Sequence, residues 1–270
     1  MRGGFKYHIG FSGQDLGTEP VRYALICGDP DRTRRIASGF TGLSAGKILS
    51  EKRGLVSYLA SLPSGRRIVL ATSGMGAPSM SIVANELFDV GIRVMIRVGT
   101  TGSIQDDVRS GSIVISRASL TLQGAADDIA PREYPSAANP FLTAALVDAA
   151  RELGIEWHLG VTASVDTFYE GQERVITSGN KYLLRRLQGA TEEYRNLGII
   201  NYEMETGTFF KMSGVYGFAA GCVCAVISDR VSGEEIDLAV KERAESDAVR
   251  TALRAAERFD ERYLDPAYLR

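Results

Sequence analysis

Arg97 stands two residues ahead of Gly99-Thr-Thr-Gly102, at the end of a short apolar run rich in β-branched residues. A guanidinium is planar, stays charged and can bind two phosphate oxygens at once. A glycine-bounded tight loop after a buried strand adds amides and hydroxyls that can face a small anion. Phosphate chemistry is one reading of this segment. An ordinary strand-to-loop exit with a salt-bridged arginine is the other. A second glycine and arginine occur in Gly28-Asp-Pro-Asp-Arg32, directly after the strand predicted at 22–27. Asp29 has N-cap chemistry and Pro30 suits a first helical position, which predicts a helix over 30–39. Arg32 then lies in the first turn, where a cation opposes the helix dipole. Its partner is either an external anion or one of its neighbours, Asp29 and Asp31.

Carboxylates and amides form a second group. Asn201-Tyr-Glu-Met-Glu205 ends a predicted strand with two acids that are hard to explain by packing, because a buried carboxylate needs partners. An exposed helix start with acids favouring the dipole explains them equally. The segment 166–174, Asp-Thr-Phe-Tyr-Glu-Gly-Gln-Glu-Arg, is dense in polar and aromatic side chains, the composition of a functional loop. Ser73-Gly-Met-Gly-Ala-Pro-Ser79 resembles a dinucleotide-binding turn, but it lacks the third glycine and an acidic ribose ligand at the end of the next strand.

The elements that must position these groups alternate along the chain. Strands are predicted at 22–27, 55–62, 67–72, 94–98, 112–122 (one strand or two), 157–164, 199–203 and 219–227. Helices are predicted at 30–39, up to Val90 before Gly91, from Asn139-Pro140 to Gly154, towards Val215, and over 234–259. In the last helix Ile236, Val240, Ala244 and Ala248 would face the core. There is no internal repeat or linker, and the tail after Arg262 has little pattern. Residues 1–270 read as one α/β domain, with the polar segments collected at strand ends where such folds place ligands. Residues 263–270 are expected to be a loosely ordered tail.

Bulk properties limit the function classes. At 270 residues and 44% hydrophobic the chain can bury a substantial α/β core. A net charge of -2 gives no general attraction to nucleic acid or an anionic membrane, so any anion must be bound by locally placed arginines. No run of about 18 apolar residues and no signal-like apolar core is present, which predicts a cytoplasmic location. Cys27, Cys222 and Cys224 sit in apolar runs, as reduced thiols do, and Cys222-Val-Cys224 has the wrong spacing for zinc. No metal site is expected.

Together, Gly28-Asp-Pro-Asp-Arg32, Arg97-Val-Gly-Thr-Thr-Gly102, Phe168-Tyr-Glu-Gly-Gln-Glu-Arg174 and Asn201-Tyr-Glu-Met-Glu205 resemble the nucleoside phosphorylase family, and within it the uridine phosphorylase branch. The resemblance runs from about His8 to Ala256, with segments in the family's order. It implies a three-layer α/β/α domain with a central mixed, partly barrel-like sheet, and phosphorolysis of a nucleoside to a free base and ribose 1-phosphate. It implies phosphate at Gly28, Arg32, Arg97 and Thr100, with Arg53 reaching in from a neighbouring subunit. Ribose would meet Thr100, Met204 and Glu205, with the neighbour's His8 at the 5′ end. Uracil would be held by Gln172 and Arg174, near Thr101, Phe168, Ile227 and Arg230. No cofactor is implied beyond phosphate as co-substrate. A homo-oligomer with shared sites is implied, as a dimer or a hexameric trimer of dimers, and neither nucleic acid nor membrane as a partner.

Three departures qualify the resemblance. Ser228-Asp229 matches a pair that purine-specific relatives use, with the aspartic acid protonating the base, so a purine nucleoside phosphorylase is the alternative reading. Gly54 stands where bacterial uridine phosphorylases carry a glutamate that helps bind a monovalent cation, which leaves that ion unsupported here. The alignment around Arg53 needs a small gap, so Lys52 is a rival for its role. A hydrolytic nucleosidase would leave Arg32, Arg53 and Arg97 around water and poorly matched. A nucleoside-binding sensor would not need both sugar and phosphate groups.

Overall fold

The computed structural model of the chain describes residues 4–39, 42–44, 46–231 and 237–269. Five consecutive buried residues form β1 (Tyr23–Cys27), at the centre of an extended sheet. Its side chains alternate between two cores, as a strand covered on both faces requires. Tyr23, Leu25 and Cys27 pack with α1 (Pro30–Ala37), α4 (Pro140–Glu152) and α7 (Leu238–Arg258). Ala24 and Ile26 pack with α2 (Ala77–Asp89) and α6 (Thr206–Tyr216). The result is helix, sheet, helix.

The other strands are β2 (Lys47–Ser50), β3 (Ser57–Ser61), β4 (Arg67–Thr72), β5 (Val94–Ser103), β6 (Ile113–Leu122), β7 (Trp157–Val165), β8 (Ile199–Glu203) and β9 (Ala219–Asp229). Their order is β2-β3-β4-β1-β5-β8-β7-β6-β9, and β9 also pairs with β5. That extra pairing closes β5, β8, β7, β6 and β9 into a barrel, while β2, β3, β4 and β1 continue as an open sheet. Parallel and antiparallel pairs are mixed. The mixed, partly barrel-like sheet implied by the resemblance is what the chain forms.

β5 joins the two parts. Residues 94–98 pair with β1, and Gly102 and Ser103 pair with β8. Along its whole length β5 runs beside β9, with a register shift between Thr101 and Gly102. The tight loop expected at Gly99–Gly102 is therefore bulged strand. A neighbouring strand that claims the backbone hydrogen bonds overrides the local glycine signal.

Helix ends follow their caps. The Asp29 carboxylate accepts from Asp31 N at 2.9 Å and Pro30 opens α1, while Asn139 accepts from the amides of residues 141 and 142 to open α4. The segment expected at 112–122 forms one strand, β6 (Ile113–Leu122), with an irregularity between Ser116 and Ala118. β2, α3 (Gly124–Asp127) and α5 (Ala190–Asn196) carry no sequence pattern strong enough to have been expected. Asp237 caps α7, and Ala244 and Ala248 are buried in it as expected. Ile236 and the proposed start at 234 lie outside the described residues. In the tail, Tyr263 stacks on Phe141 with ring centroids 3.8 Å apart. Tyr268 of the short helix α8 (Pro266–Leu269) meets both rings edge-on, so aromatic contacts seat a segment without periodicity against α4.

Candidate active site

A cavity of about 470 Å³ opens where the barrel meets the open sheet. It gathers Gly28, Arg32, Arg97, Thr100, Thr101, Phe168, Gln172, Arg174, Met204, Glu205 and Ile227, which come from five separate stretches of chain. Each stretch follows or ends a strand. The strand ends converge because the parallel strands β1, β5 and β9 share one polarity.

Arg97 is the buried cation at its base, 3% exposed on β5. Its Nε donates to Glu203 Oε2 at 3.1 Å, and Nη2 pairs with Glu205 Oε2. Both acids are buried, so the exposed helix start considered from sequence does not occur. Glu203 Oε2 also accepts from the amides of Glu205 and Thr206, each at 2.8 Å, and its Oε1 accepts from Ser164 Oγ. Glu203 thus ties β5 to β7 and to the start of α6. Glu205 accepts from Gly76 N at the start of α2. Burial raises the Glu205 carboxyl above its ordinary range; Arg97 opposes the rise and neighbouring Glu203 adds to it.

Arg32 is buried beside this group. Neither Asp29 nor Asp31 is its ion-pair partner: Nη2 donates to Glu245 Oε1 of α7 at 2.8 Å, and Nη1 donates to Val98 O at 3.3 Å. Its Nε makes no hydrogen bond among the described residues. Thr100 lines the cavity, whereas the Thr101 hydroxyl donates to Tyr202 O and accepts from Asn201 Nδ2 at 2.7 Å.

The other end of the cavity is built on the 166–174 segment. Gln172 is buried in a 3-10 turn, and Glu173 adopts a left-handed φ of 54°. That conformation turns the Glu173 carboxylate away, to accept from the amides of Gly189 and Thr191 at 2.6 Å each. Arg174 lies 4.3 Å over the Phe168 ring, and its Nε donates to Gln172 Oε1 at 3.2 Å. Arg230 is outside the lining and donates to Gln172 O at 2.6 Å, bracing that turn. Asp229 is also outside the lining, and its Oδ1 accepts from Val231 N at 3.0 Å.

The two ends are ordered by β5. A Cβ on Gly99 would lie against the Arg97 guanidinium, and one on Gly102 would lie 3.4 Å from Arg174 Nη2. The two glycines are three positions apart on the strand, about 10 Å along its axis. Arg97 and Arg174 thus line one cavity from two different positions along β5.

His8 and Arg53 do not join the cavity of their own chain. His8 Nδ1 lies 2.7 Å from Glu86 Oε1 of α2. Arg53 has φ 59° in a turn beside Tyr7, whose ring lies under Lys52 Nζ at 4.0 Å. Sequence reasoning missed several lining residues. Met75 comes from the glycine turn that was weighed only as a dinucleotide site, Tyr202 sits inside a segment read for its neighbours, and Glu203 stood out as one of two acids without being given a role in the site. Lys241, one turn before Glu245 on α7, carried no local signal. Among the described residues, no cluster of three His, Cys, Asp or Glu side chains could hold a metal ion, and no helix is long and apolar enough to cross a membrane.

Comparison with known proteins agrees with this architecture. The Phosphorylase superfamily profile matches residues 22–262. The uridine phosphorylase of Salmonella typhimurium is 38% identical over 253 residues, covering 94% of this chain and 97% of the relative. That of Haemophilus influenzae is 40% identical over 234 residues, covering 87% and 91%. That of Thermococcus kodakarensis is 35% identical over 231 residues, covering 86% and 80%. With strand-end arginines, paired acids and a closed barrel in one fold, and with relatives matched over nearly their full length, the chain belongs to the phosphorylase superfamily.

Proposed function

We propose that this chain is a uridine phosphorylase, a pentosyltransferase that cleaves uridine with inorganic phosphate to uracil and ribose 1-phosphate in pyrimidine salvage. The observation that carries the reading is that Arg97, Arg174 and Glu205 line one cavity, with Arg97 against Gly99 and Arg174 against Gly102 of β5.

Phosphate would bind between Arg32 and Arg97, with Thr100 and the Gly28 backbone beside it. One of its oxygens forms the bond to the anomeric carbon as the C–N bond breaks. The electron pair of that bond passes into the uracil ring, which afterwards takes a proton from solvent. Positive charge appears on the ribose, above the phosphate, and negative charge on the uracil carbonyls. Arg174 and Gln172 would donate to those carbonyls, and a donor aimed at charge that develops only in the transition state contributes ~3–4 kcal/mol. Phe168 supplies a ring face beside the base, and Met204 and Ile227 supply apolar walls. Glu205 would accept from the ribose hydroxyls and hold the sugar in a reactive pose. Arg230 would act by holding the Gln172 turn. No side-chain nucleophile or metal enters this scheme.

His8 and Arg53 would serve a neighbouring subunit's site, which makes the enzyme a homo-oligomer, either a dimer or a trimer of dimers. We place the protein in the cytoplasm, in keeping with its three unpaired cysteines.

Asp229 bears on the purine alternative. Its carboxylate accepts from Val231 N and lies outside the cavity lining, a position that favours uracil over a purine requiring an acid. The test is turnover of uridine with and without phosphate, with inosine and thymidine in parallel. Phosphate-dependent release of uracil is expected. Turnover indifferent to phosphate, or a clear preference for inosine, would overturn the assignment.

A further inference from the structure

Glu245 is a carboxylate on α7, 4% exposed and in none of the segments read above as binding a ligand. Its two oxygens hold two arginines of α1: Oε1 accepts from Arg32 Nη2 and Oε2 accepts from Arg35 Nη2, each at 2.8 Å. Lys241 Nζ, one turn earlier on α7 and in the cavity wall, lies 3.9 Å from Oε1. One carboxylate is thus shared among three cations, and the group keeps net positive charge beside the cavity. Arg32 needs such a brace. It sits in the first turn of α1, where the helix dipole repels it, and its Nε has no protein partner among the described residues.

We infer that Glu245 is a positioning residue for phosphate: it grips Arg32 from behind, against the pull of the dipole and of solvent, and keeps the guanidinium aimed into the cavity. It touches no substrate. The inference rests on the proposed phosphorolysis, and its site is the phosphate end of that cavity. Two forces oppose each other here. Removing a negative charge strengthens the positive field, which by itself would tighten phosphate binding. Removing one of the two carboxylate oxygens as an acceptor releases Arg32, which weakens it. A charge-assisted hydrogen bond in a buried site outweighs a partly screened field, so loss of position is expected to win.

The experiment is steady-state kinetics of Glu245→Gln, varying phosphate at saturating uridine and uridine at saturating phosphate. An amide offers one acceptor oxygen, so Arg32 and Arg35 compete for it. The KM for phosphate should rise about tenfold, with the KM for uridine and kcat within about twofold. Adding Arg35→Met to Glu245→Gln frees that oxygen for Arg32, and the phosphate KM should return towards that of Arg35→Met alone. A merely structural role would not produce this rescue. If Glu245→Gln does not fold, Glu245→Asp replaces it in both arms: it keeps the charge but is one methylene too short to reach both arginines. An unchanged or lower phosphate KM, or equal rises for both substrates, would overturn the inference. Wild-type protein that turns over uridine without regard to phosphate would instead refute the reaction assignment, so the two failures are distinguishable.

Discussion

Gly99 lies beneath the Arg97 guanidinium so closely that a single methyl group would not fit between them. A Cβ at Gly99 would stand 2.6 Å from Arg97 Nη1 and 2.8 Å from both Arg97 Cζ and Cys224 Sγ. The glycine is required by proximity, since its φ is not in the left-handed region. Gly99→Ala should therefore push the guanidinium off its carboxylates. The expected outcome is a loss of about 1–3 kcal/mol in stability by denaturant unfolding. A rise of about tenfold in the phosphate KM should accompany it.

Glu205 shows a conflict between stability and function. Its carboxyl is raised by burial and by Glu203, so its ionised form is less favourable in the folded chain than in the unfolded one. The stability it contributes is complete below the ordinary carboxylate pKa and is lost as pH rises through the raised folded value. Relative to Glu205→Gln, the wild-type melting temperature should be highest at acid pH and should fall as pH rises through that window. At neutral pH the same variant should lose about a hundredfold in kcat/KM for uridine, because a neutral amide no longer grips the ribose hydroxyls as a carboxylate does. A pH-independent difference in melting temperature would contradict the direction assigned to Glu205.

Arg174→Ala separates base from phosphate. The guanidinium stacks over Phe168 and bonds Gln172, beside Gly102 of β5, whereas Arg97 lies against Gly99. Uridine kcat/KM should fall by about 100-fold or more while the phosphate KM changes little. Equal losses in both would remove its assignment to the base.

Shared sites predict complementation between inactive variants. Arg53→Ala and Arg97→Ala should each be nearly inactive as homo-oligomers. In a mixed dimer, one of the two sites has its own Arg97 and its neighbour's Arg53 intact. Unfolding and refolding the two variants together should restore about a quarter of wild-type activity. An Arg53→Ala variant that is active by itself would place Arg53 outside the site, and recovery of nothing from two inactive variants would place it in its own chain's site.

What the chain determined locally was considerable. Asp29-Pro30 and Asn139-Pro140 start helices because a short acceptor side chain and a fixed φ solve the problem of the first amides without help from elsewhere. Apolar strands alternating with helices specified an α/β domain, and arginines beside glycines at strand ends marked the anion-binding segments. Gln172 and Arg174 could be paired from sequence because a single residue separates them and a turn keeps them together.

Other features needed the tertiary fold because their partners are distant in sequence. Gly99–Gly102 looked like a loop and is strand, since β9 supplies the ladder that the segment cannot supply to itself. The two acids of β8 and its exit are buried because Arg97 lies between them, more than 100 residues away. Arg32 passes over its neighbouring aspartates for Glu245, which α7 brings to it from 213 positions along the chain. Local sequence fixes which groups can bind an anion. Which carboxylate holds each arginine, and towards what it is held, is decided only when the helices close over the sheet, because charge pairing in a buried site follows distance in space and burial, not order in the chain.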